Sequence, residues 1–108
     1  MKKVLLSTAL LLAINLPLNA GIIDDAIKKQ CKTIVHGNGT VDSEWDMFLV
    51  GIVDGMKFAI DEKVVTKASN DDIKYSACRQ SLNNTAKVEF FSKFEYFVFQ
   101  IIKGEKEL

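Results

Sequence analysis

One proline, one histidine and two cysteines in 108 residues already remove several kinds of chemistry. A lone histidine, His36, cannot build a histidine-rich metal site, and the two cysteines are better employed elsewhere, as argued below. Asp42, Glu44 and Asp46 follow His36 closely but lack the glycine and the late glutamate of a calcium loop. The glycines are few, and His36-Gly37-Asn38-Gly39 has neither the lysine nor the following fingerprint of a phosphate-cradling loop. Charge of one sign is also missing. Lys plus Arg and Asp plus Glu number 14 each, so there is no basic field to capture nucleic acid. The acid pairs Asp24-Asp25 and Asp71-Asp72 fit the positive ends of helices better than acid–base catalysis. No catalytic group, metal ligand set or cofactor motif emerges, so the chain is expected to be a non-enzymatic binding protein without a cofactor.

What is present is a foldable core. With 48% apolar and 26% charged residues, the chain escapes the composition of disorder, and its length allows one small domain.

The first twenty residues look like an address. Lys2 and Lys3 precede an almost entirely apolar run from Val4 to Leu16, closed by Pro17-Leu18-Asn19-Ala20. A basic start, a short apolar stretch and a small residue at the cut describe a secretory signal peptide. The run falls short of the roughly 20 apolar residues that a membrane span requires. The expected layout is therefore a signal peptide at 1–20 and a single helical domain at 21–108, periplasmic or secreted, with no membrane span once the signal is removed. Loss of Lys2 and Lys3 leaves a formal charge of −2.

In an exported chain of this size, Cys31 and Cys78 read as a disulfide. They lie 47 residues apart, and closing such a loop contributes about 4 kcal/mol in the chain-entropy model.

Apolar periodicity divides the remainder into four helical segments. Ile23, Ile27, Cys31 and Ile34 recur at helical spacing over 22–35, with Gly37-Asn38-Gly39 as the stop. Ser43 is the expected N-cap of the second segment, with Asp46 in the capping-box position. Trp45, Phe48, Leu49, Ile52, Val53, Met56 and Ile60 then follow the i, i+3, i+4 pattern. Gly51 and Gly55 sit beside that stripe. Two glycines inside a helix cost about 1 kcal/mol each relative to alanine, so their expected role is close packing, against a neighbouring helix or against a second copy in a dimer. Ser69 and Asn70 ahead of Asp71-Asp72-Ile73 mark a third helix start, whose face carries Ile73, Ala77 and Leu82, with Tyr75 and Cys78 beside it. In the last segment Val88, Phe91, Phe94, Val98 and Ile101 fit helical spacing, and Phe90, Phe97, Phe99 and Ile102 widen the apolar arc. Tyr96 to Ile102 is short and aromatic-rich enough to suit a strand as well, although helix is the expectation. The fold class that follows is all-α, a small bundle of about four helices stapled by one disulfide. Six aromatics between Phe90 and Phe99 exceed what one small core covers, which makes Tyr96, Phe97 and Phe99 candidates for a partner-facing surface.

The segment Phe48-Leu49-Val50-Gly51-Ile52-Val53-Asp54-Gly55-Met56, followed by Val65-Thr66 and Asp71-Asp72-Ile73, resembles the type VI secretion amidase-immunity proteins over about residues 37–103. The chain departs from that family in having no further cysteines around the glycine helix or near the C-terminus. The resemblance implies a small exported helical protein, dimeric, that protects its producer by occluding a cell-wall hydrolase. A weaker resemblance, carried by Cys31, by Ala77-Cys78 and by the apolar helix containing Gly51, is to the HdeA-type periplasmic acid chaperones. That likeness implies a dimer that loosens in acid and binds unfolded clients.

Overall fold

The computed structural model describes residues 17–108 except Glu62 and Val64. Residues 1–16, which hold most of the expected signal segment, lie outside the described residues. Four helices follow one another: α1 (Pro17–His36), α2 (Ser43–Ala59), α3 (Asn70–Asn83) and α4 (Phe90–Ile102). No strand occurs among the described residues. Residues 96–102, which also suited a strand, are helical. All six helix pairs touch; the pairing of α3 with α4 is the most extensive, followed by that of α1 with α3.

The α1 stripe works as its spacing predicts. Ile27 and Cys31 are fully buried, and Ile23 and Ile34 pack at the margin of the core. Helix α1 starts upstream of the expected Ile22, so the boundary at Gly21 falls within it. It ends where Gly37 takes a left-handed φ of 70° and donates its N–H to the Thr33 carbonyl at 2.9 Å, an αL cap that only glycine adopts at little cost.

The start of α2 differs by one residue from the expected cap. Asp42, not Ser43, is the N-cap, and its carboxylate accepts from the N–H groups of Glu44 (2.9 Å) and Trp45 (3.1 Å). The reason is tertiary. The buried Gln30 side chain of α1 donates to the Asp42 carbonyl at 3.0 Å and accepts from the Asp42 N–H at 3.2 Å. That double bond holds Asp42 extended, so its stronger acceptor captures the helix start. Ser69 caps α3 as predicted, accepting from the Asp72 N–H at 3.1 Å.

Helix α4 has no side-chain cap of its own. Asp24 of α1 supplies it from across the bundle, accepting from the Phe90 N–H at 3.1 Å and the Phe91 N–H at 2.7 Å. Asp24 thus serves a helix start, but not the start of its own helix.

The core is Ile27, Cys31, Leu49, Val53, Ile73, Ala77, Cys78, Phe90, Phe94, Phe97, Val98, Ile101 and Ile102. Cys31 and Cys78 are bonded, joining α1 to α3 through the middle of this cluster with a Cα separation of 5.0 Å. The buried face of α4 falls within the expected wide arc but leaves out Val88, Phe91 and Phe99. Phe90, Phe94, Phe97, Val98, Ile101 and Ile102 point inward, Val88 precedes the helix and is exposed, and Phe91 lies only at the edge. The link from α2 to α3 adds no strand. It is fastened by the Thr66 N–H, which donates to the Ile102 carbonyl at 3.1 Å, and by the Lys57 ammonium on the Ala68 carbonyl at 2.7 Å.

Among the described residues, a lysine between two aspartates links α2 and α3. Lys74 of α3 is almost fully buried, and its ammonium reaches Asp46 of α2 at 2.6 Å and Asp71 at 3.1 Å. Burial pushes the Lys74 pKa down, but the hydrogen bonds and charges of Asp46 and Asp71 outweigh that and hold it above its ordinary value.

Candidate functional site

Exposed large apolar side chains occur on all four helices. One of them, Phe48 of α2, stands in an aromatic cluster that reaches across to α4. In α2, the residues on the inward stripe are Leu49 and Val53. Phe48 is displaced by one residue from that stripe and stays 42% exposed. Its ring meets Trp45 edge-on at 5.6 Å between centroids and stacks on Phe91 of α4 at 6.1 Å, with the planes 29° apart. Ile23 of α1, Glu44, Trp45 and Phe48 line a shallow, open groove of about 280 Å³ beside that stack.

Along α4 the same surface continues. Glu95 lies one turn beyond Phe91, and Phe99 one turn beyond Glu95, so the three share a stripe. Phe99 is 38% exposed, with the Lys103 ammonium 5.0 Å from its ring centre. Glu95 is half-buried. Desolvation pushes its carboxyl above the ordinary value.

The residues expected to face a partner do not act as a group. Tyr96 is 57% exposed and Phe99 lies on the surface stripe, but Phe97 is only 6% exposed and belongs to the core. The correction follows from helical geometry. Phe97 stands three residues from Phe94 and four from Ile101, so it falls on the buried arc, whereas Tyr96 and Phe99 are turned off it. Its ring contacts Tyr96 edge-on at 5.3 Å, and Lys106 of the C-terminal segment crosses it at 5.7 Å. Phe97 also contributes to an open cleft of about 590 Å³ with Arg79, Gln80, Asn83, Asn84 and residues 105–107.

Gly51 and Gly55 need a second correction. A Cβ added at either position meets nothing within 4 Å apart from its own helix backbone among the described residues. No neighbouring helix of this fold packs against them, because α2 turns Trp45, Leu49, Ile52, Val53 and Met56 to the bundle and leaves the glycines on the outer face. Gly51 instead lines an open groove with Asp46, Met47, Val50, Asp54, Asn70 and Asp71. The dimer role of the two glycines passes to the proposals below.

Sequence periodicity did not identify Glu95 and Phe48 as surface features. Both sit one position off an apolar stripe, where a side chain is buried or exposed according to the crossing of the helices. Among the described residues, no group of three His, Cys, Asp or Glu side chains is arranged to hold a metal ion, and no helix is long and apolar enough to cross a membrane.

No family model matches this chain, and no curated protein or solved structure is similar to it.

Proposed function

We propose that this is an exported, non-enzymatic binding protein that acts as an immunity protein or inhibitor, occluding a cell-wall-degrading enzyme in the periplasm. The observation that carries the reading is the aromatic cluster of Trp45, Phe48 and Phe91 across α2 and α4, with Phe99 two turns further along α4, on a disulfide-stapled bundle. Burying a large apolar side chain contributes about 1.5–3 kcal/mol, and the partly exposed Phe48 and Phe99 leave some of that to be gained under a partner. The disulfide joins α1 to α3, and α2 and α4 pack on that pair, which suits a pre-formed surface for one folded target. The Cys31–Cys78 bond is compatible with an oxidising compartment, in keeping with the signal-like residues 1–20.

The acid-chaperone reading has a specific observation in its favour. Asp24 and Asp46 each tie one helix to another, and Asp42 caps its own helix, through carboxylate oxygens that accept hydrogen bonds. Protonation of all carboxylates would weaken these ties while leaving a large positive charge.

One experiment separates the two. The disulfide-bonded protein is incubated with extracts of its source organism at neutral pH and at about pH 3, and any captured enzyme is assayed on purified peptidoglycan. A stoichiometric partner at neutral pH whose hydrolysis of peptidoglycan is suppressed is the expected result. Many unrelated proteins, captured only in acid, would replace the inhibitor reading with the chaperone.

A further inference from the structure

We propose that the aromatic face receives a cationic side chain, arginine or lysine, from its protein partner, and that Glu95 is the group that accepts it. The inference rests on the binding reading above and names the partner's chemistry at the same face.

Glu95 stands between two aromatic rings on one stripe, with Phe91 a turn to one side and Phe99 a turn to the other. Phe91 is in turn stacked on Phe48, and Phe48 meets Trp45. The Glu95 side chain is half-buried with its carboxylate still reaching solvent, and it has neither a hydrogen bond nor an ion pair among the described residues. The cations of its own helix end are occupied elsewhere. Lys93 donates to the Asn84 carbonyl at 2.7 Å, and Lys103 pairs with Glu105 at 3.5 Å. Glu44, which lines the adjoining groove, also has no ion pair.

Aromatic rings beside an unpaired carboxylate suit a cation carried on an apolar stem. The Phe99 ring already holds the Lys103 ammonium 5.0 Å from its centre, so the ring area left for a partner's cation is that of Phe48 and Phe91. The rings attract the charge through their quadrupoles, and the carboxylate accepts charge-assisted hydrogen bonds. An apolar or anionic partner would bury Glu95 further with nothing to compensate it. A second copy docking by the same face would bring its own Glu44 and Glu95 towards these, since a two-fold interface is self-complementary. An anionic membrane surface would meet the same repulsion.

The test uses butylguanidinium as probe, butylurea as its neutral counterpart and pentanoate as an anion, titrated into the disulfide-bonded protein and followed by NMR. Expected are saturable shifts at the Trp45 indole and at the Phe48 and Phe91 rings with butylguanidinium alone. Glu95→Gln, whose unchanged amide spectrum would show an intact fold, should weaken that binding roughly tenfold. An equal response to butylurea, an unchanged response in Glu95→Gln, or shifts confined to the groove of Asp46, Asp54 and Asp71 would each overturn the proposal. So would movement of the same ring signals on simple dilution, which would assign the face to a second copy, or on addition of phosphatidylglycerol vesicles. Failure of the inhibitor reading shows elsewhere, as no captured hydrolase. A captured hydrolase that binds Glu95→Gln as tightly as the unaltered protein sinks only the inference.

Discussion

Phe97 and Phe99 are two residues apart and chemically identical, yet the helix assigns them opposite environments. Replacing Phe97 with alanine opens a cavity in the core and is expected to cost about 3–5 kcal/mol. Phe99→Ala removes a ring that is already partly solvated and should cost about 1 kcal/mol or less. Urea denaturation of the two variants side by side checks this pair. Glu95 supplies a pH-dependent counterpart. Its carboxyl is raised by desolvation, so ionised Glu95 lowers stability at neutral pH, and that penalty is absent below the ordinary value of 4.5. Glu95→Gln should therefore raise the melting temperature at pH 7, with the gain shrinking as the pH falls through Glu95's raised pKa and vanishing below about 4.5. A variant that is more stable and binds cations less well is the usual signature of a residue kept for function.

At the scale of the element, α2 carries the clearest test. Gly51 and Gly55 lie in a regular helix, and an added methyl group meets no neighbour at either. Alanine at each position should stabilise the protein by about 0.5–1 kcal/mol in a thermal melt. A loss of self-association in the same variants would assign the outer face of α2 to a second copy. Elements of this kind were largely legible in the sequence. The four helices, the αL stop at Gly37 and the Ser69 cap followed from periodicity and local side-chain chemistry, which act over one or two turns. The Asp42 cap, the Lys74 ion pair and the limits of α4's buried arc were not legible. Each depends on a residue brought from another helix: Gln30 for Asp42, Asp46 for Lys74, and the surface of α3 for α4. The aromatic excess between Phe90 and Phe99 was visible as composition, but which rings stay outside is decided by helix crossing. That is why Phe97, a candidate for the partner-facing surface, lies in the core, and why Phe48, on the expected apolar stripe of α2, stays partly outside.

For the whole molecule the disulfide sets the margin. A domain this small has little core to spare, and the Cys31–Cys78 bond closes a loop of 47 residues between α1 and α3. Its removal, by reductant or as the Cys31→Ser, Cys78→Ser double variant, should cost about 4 kcal/mol. Equilibrium denaturation with and without reductant measures it, and a cost near zero would place the stability in the helix packing instead.

The carboxylate of Asp24 on the first turn of α4 also ties the two ends of the described chain to each other. The first N–H groups of a helix have no partner within it, so the start of α4 is complete only with α1 beside it. Loosening the first helix would therefore be felt at the last, 66 residues away in sequence but in direct contact in the fold.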